Sequence, residues 1–222
     1  MRWLNITIIS DRQNNLSSKR HGTTGRWFIE SPIFSSWQTD HNSLPWLHGF
    51  AGCGKSVLAS TIVNELQSLS LSRRNFLVAY HFFDFSNDVS TKTDTCIRSI
   101  KSQLAQSPLA ISYLESLREA YAPHSAPTPE LLRLLKKMVQ NLGITYVVLD
   151  ALDVCSDKLE VLALLEGLKQ WNIDDFHLLL TSRDEPDIKA TVAPLTTACI
   201  DLRNDQVTSD IGTFVAIAVK QD

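Results

Sequence analysis

The sequence has no long hydrophobic run and no export signal. Nowhere does it contain about 18 consecutive apolar residues, the length that a membrane-spanning helix requires. Its start, MRWLNITIIS, carries one positive charge, and Asn5 interrupts a short apolar stretch, so this segment falls short of a signal peptide. We therefore expect a soluble, cytoplasmic protein that does not bind membranes.

Cysteine is scarce and scattered. The four cysteines, Cys53, Cys96, Cys155 and Cys199, form no C-x-x-C pair. Zinc clusters and small disulfide-rich folds depend on closely spaced cysteines, so the spacing favours neither class. A reducing, intracellular environment fits this pattern best.

Charge of either sign is not concentrated in any part of the chain. There are 21 Lys and Arg residues against 24 Asp and Glu residues, which gives a net charge of −3. Neither a basic run nor a basic amphipathic helix is present. Since both nucleic acid and anionic lipid attract such basic features, we expect no nucleic acid and no membrane surface as a partner.

What the chain does have is the patterning of one α/β domain. Its 222 residues, 44% of them apolar, are enough for one compact core. The first 42 residues are polar and rich in turn formers, so we interpret residues 1–42 as an N-terminal lead-in segment to a domain over residues 43–222. From about Ser43, short apolar strands alternate with helical periodicity, which predicts an α/β fold with a mainly parallel sheet.

Five strands and five helices are predicted from this pattern. The strands are Leu44–His48, Phe76–Phe83, Ile144–Asp150, His177–Ser182 and Ala198–Leu202, and Pro45 shifts the effective start of the first strand to Trp46. The helices are Lys55–Leu69, Thr93–Gln106, Pro108–Tyr121, Pro129–Leu142 and Leu159–Trp171. Thr128 is the predicted N-cap of the fourth helix, and Gly143 is its predicted stop. The last residues, VTSDIGTFVAIAVKQD, suggest a helix cut off at the chain end and hence a domain truncated at its C-terminal side.

The strongest motif is GFAGCGKS, Gly49–Ser56, which matches the phosphate-binding pattern G-x-x-x-x-G-K-[ST] at every fixed position. A predicted strand precedes it and a predicted helix follows. Glycines let backbone N–H groups surround a phosphate, and the helix N-terminus adds partial positive charge. Lys55 would then reach the β- and γ-phosphates, and Ser56 would offer its hydroxyl to Mg²⁺. The predicted nucleotide-binding residues are Gly49, Phe50, Ala51, Gly52, Cys53, Gly54, Lys55, Ser56 and Val57.

A phosphate loop also needs a carboxylate for the metal ion, and TYVVLD supplies Asp150 at the end of an apolar strand. The next predicted strand, HLLLTSR, ends in Thr181, Ser182 and Arg183. The planar guanidinium of Arg183 suits a γ-phosphate because it can bind two oxygens at once. The alternative is a surface arginine paired with Asp184 or Glu185.

With these motifs in this order, the chain resembles the NACHT group of signal-transducing P-loop NTPases, in particular the nephrocystin-type N-terminal NACHT module common in large fungal proteins. The resemblance spans roughly Lys19–Phe214 and rests on five segments: KRHGTTGRWFIESPIFSSW, LPWLHGFAGCGKSVLASTI, AYHFFDFS, YVVLDALDVCSD and LLLTSRDEPDI. It implies a P-loop NTPase three-layer sandwich with the strand order 5-1-4-3-2. It also implies that a T-G-x-W segment helps to close over the base and ribose, which here would be Thr24, Gly25 and Trp27.

The resemblance further implies a function. A bound nucleotide, with ATP favoured over GTP, would set an inactive or active state of a larger protein. Protein partners or self-association would then act through flanking domains.

One departure from the family pattern bears on chemistry. The usual pattern is L-D-A-L-D-E-C, which places a glutamate where this sequence has Val154, while Asp150, Asp153 and Cys155 match. A glutamate there would polarise the attacking water, and valine cannot, which commonly costs a factor of about 10² to 10⁴ in rate. Asp153 could substitute through a water molecule. A second departure, Asp184 in place of a proline, adds negative charge beside Arg183.

Four functions therefore stay open. The first is a nucleotide-binding switch module with impaired hydrolysis. The second is a competent slow NTPase that uses Asp153, or a partner's residue, as its base, with Lys55 and Arg183 as the other catalytic residues. The third is a small phosphotransferase, although the arginines expected of its lid are scattered. The fourth is an interaction fragment that binds no nucleotide.

Overall fold

A computed structural model describes residues 6–18, 24–73, 75–107, 110, 127–203, 207, 208, 210 and 212. Within these ranges a five-stranded sheet is flanked by helices on both faces. All strand pairs are parallel. The strands are β1 (Pro45–His48), β2 (Phe76–Phe82), β3 (Ile144–Asp150), β4 (Phe176–Ser182) and β5 (Ala198–Asp201).

The strand order is β2-β3-β4-β1-β5, which is the expected order 5-1-4-3-2 written from the other edge. The predicted fold, an α/β three-layer P-loop NTPase sandwich, is therefore confirmed. All five predicted strands are present, with ends that differ by one residue at most. The predicted start of β1 at Trp46 is wrong, because β1 includes Pro45 and pairs it with Ala198. A proline at the first position of a strand is tolerated, since its missing N–H costs little there.

Eight helices are described in these ranges. They are α1 (Ile6–Ser18), α2 (Arg26–Ile29), α3 (Pro32–Thr39), α4 (Lys55–Ser70), α5 (Thr93–Leu104), α6 (Thr128–Leu142), α7 (Lys158–Gln170) and α8 (Pro186–Val192), with short 3₁₀ turns at Leu152–Val154 and Ala193–Leu195. The predicted helix Pro108–Tyr121 lies outside the described residues except at position 110, and so does most of the predicted C-terminal helix. No helix among the described residues is both long and apolar enough to cross a membrane.

The predicted N-cap of one helix is wrong. Helix α6 begins at Thr128 rather than after it, and its capping position is Pro127, which offers no side-chain hydrogen bond. The Thr128 hydroxyl instead donates to Asp94 Oδ1 at 2.9 Å. Helix α8 was not predicted, although Pro186 at its first turn is a typical start signal.

The sheet separates two apolar layers because successive side chains of its strands point to opposite faces. On β3, Val147 and Leu149 belong to one cluster together with α5, α6 and α7. Tyr146 and Val148 belong to the other cluster together with α4. Strand β4 is buried along its whole length, as expected for a parallel sheet covered on both faces.

The N-terminal segment contributes to the second apolar layer. Phe28, Phe34 and Trp37 are 1%, 3% and 2% exposed, and they pack in the cluster that contains α4. The ring centroids of Trp37 and Tyr146 lie 5.4 Å apart, in an edge-to-face arrangement. Although the composition of this segment is polar overall, three of its large side chains are part of the core.

Gly143 ends α6 as predicted, and the structure supplies the reason. Its φ is +110°, in a region that side chains disfavour, and a Cβ atom there would lie 2.5 Å from the Asn75 carbonyl oxygen. That oxygen accepts from the Ile144 N–H at 2.9 Å, which starts the pairing of β3 beside β2. Close approach of two backbones therefore requires glycine at this position.

We expect Gly143→Ala to lower the free energy of unfolding by about 2 kcal/mol or more, because it adds backbone strain and a steric clash. Urea denaturation measures this change. The matched control is Gly167→Ala within α7, where a Cβ would meet nothing within 4 Å. That substitution should raise the stability by about 0.5 to 1 kcal/mol. Equal effects of the two substitutions would contradict the account of Gly143.

Candidate functional site

The candidate site lies at the carboxyl edge of the sheet, where three predicted motifs begin. Strands β1, β4 and β3 are neighbours and parallel, so the residues that follow them meet at one edge. The glycine-rich loop follows β1, Asp150 closes β3, and Arg183 follows β4. The Gly49 N–H donates to the Ser182 carbonyl oxygen at 3.3 Å, which joins the start of the loop to the end of β4.

The loop conformation depends on two glycines. Gly52 and Gly54 have φ values of +82° and +88°, and a Cβ at either position would meet nothing within 4 Å. These glycines are therefore required by backbone conformation and not by lack of space. Gly54 caps α4 without a side-chain hydrogen bond, which leaves the first N–H groups of the helix available to an anion.

The remaining loop side chains divide into an exposed set and a buried one. Phe50, Ala51, Gly52 and Gly54 are exposed, whereas Cys53 is 2% exposed and belongs to the apolar layer around α4. A Cβ at Gly49 would lie 2.8 Å from the Cys53 sulfur. Cys53 thus packs inward beneath the loop. Its side chain therefore does not cover the backbone N–H groups that a phosphate would use.

Lys55 is the cation at the centre of the loop. It is 9% exposed, and its Nζ donates to the carbonyl oxygens of Gly49 at 2.8 Å and Phe50 at 2.7 Å. An ammonium group has three N–H donors. The third contact is the Cys53 sulfur at 3.7 Å, which is a weak acceptor. A phosphate oxygen would be a much stronger acceptor for that donor.

Asp150 is the anion opposite Lys55. It is 1% exposed, and its Oδ1 accepts from the Thr181 hydroxyl at 2.5 Å. The Thr181 oxygen in turn accepts from the Ala151 N–H at 3.0 Å, so β4 fixes the orientation of the carboxylate. Burial raises the pKa of Asp150, while hydrogen bonds from Ser56 and Thr181 and the charge of Lys55 oppose that rise.

The turn after Asp150 carries Asp153 and Val154, and the second of these departs from the family pattern. Ala151 has a left-handed φ of +60°, which turns the chain sharply into the 3₁₀ segment Leu152–Val154. The Val154 side chain packs against the apolar layer that contains α5, α6 and α7. It therefore contributes to packing and adds no polar group to the site.

Asp153 and Arg183 are brought together as an ion pair. The Arg183 N–H donates to Asp153 Oδ1 at 3.0 Å, and Arg183 Nε lies 3.1 Å from Asp153 Oδ2. The Asp153 side chain is only 6% exposed, whereas that of Arg183 is 53% exposed. The surface partners considered from the sequence are engaged elsewhere, since Asp184 pairs with Lys189 and Glu185 pairs with Lys158.

The T-G-x-W segment lies against α4. A Cβ at Gly25 would approach Leu58 Cδ1 to 3.0 Å, so glycine allows close packing on the helix that follows the loop. The Gly25 N–H and Trp27 Nε1 both donate to Asp210 Oδ2, at 2.8 and 3.2 Å. Thr24 adjoins Gly25 at the turn before α2. Asp210 was not singled out from the sequence, because its partners lie far away along the chain.

Two further charged residues at this edge were missed by sequence reasoning. Arg12 Nη1 of α1 lies 3.3 Å from Asp84 Oδ2, and Asp84 follows β2. The charge of Arg12 also acts on Asp150. Arg12 sits in a stretch with no motif, and Asp84 lies within AYHFFDFS without any recognised spacing, so only the folded arrangement identifies them.

The donor set is suited to Mg²⁺ bound together with a nucleotide. Among the described residues, no group of three or more His, Cys, Asp or Glu side chains is placed to hold a metal ion by itself. Mg²⁺ is commonly bound through one or two carboxylates, with waters and phosphate oxygens as the other ligands. The Asp150 carboxylate and the Ser56 hydroxyl, which acts on the pKa of that carboxylate, meet that requirement.

Comparison with solved structures finds the same fold in known proteins. Solved structures with a similar fold include Drosophila ORC bound to DNA, with a TM-score of 0.52 at 14% identity over 90% of this chain and 50% of that chain. The Aeropyrum pernix ORC1 protein in complex with DNA has a TM-score of 0.50 at 16% identity over 96% of this chain and 51% of that chain. These likenesses show the fold alone.

Sequence comparison identifies the family. The vegetative incompatibility protein HET-E-1 of Podospora anserina is 22% identical over 206 residues, which are 88% of this chain and 15% of that protein. This chain thus spans a small part of that relative's length. The family described as "Nephrocystin 3, N-terminal" matches residues 23–183. The chain therefore belongs to the Nephrocystin 3 N-terminal family, and it is a NACHT-type module with the P-loop NTPase fold.

Proposed function

We propose that this chain is a nucleoside-triphosphate-binding switch module, with ATP favoured, that cleaves its nucleotide slowly or not at all. The observation that carries the proposal is the convergence of two buried, opposite charges, Lys55 and Asp150, at an open glycine-rich loop. Burying a charged group is costly, so two buried charges of opposite sign beside an open phosphate loop support a ligand site there.

In the proposed complex the loop N–H groups from Gly49 to Val57 surround the phosphates, and Lys55 donates to them. Ser56 and Asp150 would hold Mg²⁺, which would supply positive charge to neutralise the β- and γ-phosphates. Thr181 keeps the Asp150 carboxylate oriented through its 2.5 Å hydrogen bond. Thr24, Gly25 and Trp27 would border the base and ribose side of the site, since Gly25 packs on α4 one turn beyond the loop.

Impaired hydrolysis follows from the absence of a free base in the turn after Asp150. Val154 has no proton acceptor, and its side chain packs in an apolar layer. Both carboxylate oxygens of Asp153 are engaged by Arg183, one by its backbone N–H and the other by its guanidinium. Activation of a water molecule by Asp153 would require this ion pair to open, which disfavours the alternative of a competent NTPase based on Asp153.

The wider role that we propose is a signalling switch within a larger, cytoplasmic protein. HET-E-1 is described as a vegetative incompatibility protein, and this chain corresponds to 15% of it. Binding of a nucleotide would then be conveyed to protein partners or to a second copy through flanking domains. The net charge of −3 gives no support for DNA as a ligand, despite the fold shared with the two ORC structures.

The first test concerns binding. Lys55→Ala should weaken the affinity for ATP with Mg²⁺ at least about 10-fold, since it removes a charge-assisted hydrogen bond to phosphate. Isothermal titration measures this affinity, and Lys137→Ala on the exposed surface of α6 is the matched control. A folded parent protein that binds no ATP, ADP or GTP at millimolar concentration would refute the proposal and favour an interaction fragment.

The second test concerns hydrolysis. Val154→Glu should raise the rate of phosphate release from ATP by about 100-fold or more, because it supplies the missing base. Val154→Gln, which has the same shape without the basic carboxylate, should leave the rate unchanged. If the parent protein already turns over ATP at about 1 s⁻¹ or faster, hydrolysis is not impaired.

The third test concerns the cost of holding Asp150 as an anion. Because burial raises its pKa, its ionised form opposes folding at neutral pH, and Asp150→Asn should stabilise the nucleotide-free protein. A gain of about 1 kcal/mol would raise the unfolding midpoint by roughly 2 to 4 °C. The gain should shrink as the pH falls and the parent's Asp150 becomes protonated. Thermal unfolding between pH 5 and 8 measures it, and a loss of stability at neutral pH would contradict the account.

A further inference from the structure

Helix α1, which lies before the matched family region, is fastened to the helix that begins at the phosphate loop. Gln13 Nε2 donates to the Ser60 carbonyl oxygen at 3.1 Å and to Asn64 Oδ1 at 2.9 Å. Asn64 Nδ2 donates to Ser17 Oγ at 2.8 Å, and Leu16 is 5% exposed. These contacts fix α1 along α4, so any residue on α1 that faces the carboxyl edge has a defined position.

Arg12 is the residue of α1 that faces the carboxyl edge of the sheet. It pairs with Asp84, which stands two residues beyond the end of β2. Strand β2 is paired with β3 so that Phe82 lies opposite Asp150, and the Phe83 N–H donates to the Asp150 carbonyl oxygen at 3.1 Å. The guanidinium of Arg12 therefore lies at the carboxyl end of β2, beside β3, and its charge acts on the carboxylate that we propose as the metal ligand.

Arg12 has hydrogen-bond donors that no described residue engages. Its side chain is 35% exposed, and its Nε is buried without a hydrogen-bond partner among the described residues. A guanidinium has five N–H donors, and one carboxylate oxygen at 3.3 Å engages it here. A buried donor without a partner costs about 1 to 3 kcal/mol, which a ligand oxygen would recover.

Asp84 is the counter-ion that keeps the Arg12 guanidinium in place. Its Oδ1 accepts from the N–H of Ser86 at 3.0 Å and from its hydroxyl at 2.7 Å, which leaves Oδ2 facing Arg12. Although burial opposes the shift, these hydrogen bonds and the charge of Arg12 keep the pKa of Asp84 below its ordinary value. Asp84 thus stays ionised and keeps Arg12 at the edge of the site until a stronger anion arrives.

We propose that Arg12 binds the γ-phosphate of the bound nucleoside triphosphate and that α1 thereby distinguishes triphosphate from diphosphate. This inference rests on the proposed nucleotide binding, because Ser56 and Asp150 would place the β- and γ-phosphates beside Arg12. A phosphate group offers two oxygens to a guanidinium and is the preferred partner of its planar fork. Arg183, another arginine at this edge, is held by Asp153.

The test compares two ligands on one variant. Arg12→Ala should weaken the binding of a non-hydrolysable ATP analogue about 10- to 100-fold, the loss expected for a charge-assisted hydrogen bond. Its affinity for ADP should change by no more than about 2-fold, since ADP lacks the γ-phosphate. Arg12→Gln should behave in the same way and serves in place of Arg12→Ala if that variant does not fold. Arg133→Ala on the exposed face of α6 is the control and should affect neither ligand.

A second variant separates a phosphate ligand from a structural tether. Asp84→Asn removes the holding charge but keeps the side-chain shape, so it should bind the triphosphate at least as tightly as the parent. If Arg12 only tethers α1 to β2, both variants should lower the thermal midpoint and weaken ATP and ADP equally, which would overturn the inference. A parent protein that binds neither nucleotide would refute the proposed function, and this inference with it.

Discussion

The interaction on which the site depends is the hydrogen bond from the Thr181 hydroxyl to the buried carboxylate of Asp150. It can form only if β3 and β4 pair in their observed parallel register, with Leu149 opposite Leu180. The Ala151 N–H donates to the same hydroxyl, which fixes the start of the turn that carries Asp153 and Val154. One side chain on β4 therefore orients both the Asp150 carboxylate and the first residue of the turn after β3.

The other half of the site is built around β1 and α4. Gly49 hydrogen-bonds to the end of β4, and Lys55 is held by carbonyl oxygens of its own loop. The two halves meet because β4 lies between β1 and β3 in the sheet. The apolar layer around α4, to which Phe28, Phe34 and Trp37 contribute, supports the loop from below. The N-terminal helices are thus structural neighbours of the phosphate loop.

Much of this arrangement could be predicted from the sequence, because its causes are local. Apolar runs of strand length, the glycine-rich loop and a carboxylate closing a β-branched strand are each visible within about ten residues. The sheet order came from the family resemblance and is confirmed. What could not be predicted depends on contacts between distant segments, as in the pairs Arg12–Asp84 and Trp27–Asp210. The same holds for Asp153, whose pairing with Arg183 depends on the register of β3 and β4.

The central claim is that the module holds a triphosphate without cleaving it rapidly. The most direct measurement is to mix the protein, in excess, with labelled ATP and Mg²⁺ for about 10 s, a time in which turnover at about 1 s⁻¹ would cleave nearly all of the ATP, then collect the complex on a filter and identify the bound nucleotide. The account predicts that the complex carries mainly intact ATP. Recovery of mainly ADP would contradict the claim of impaired hydrolysis, and recovery of no nucleotide would contradict binding itself.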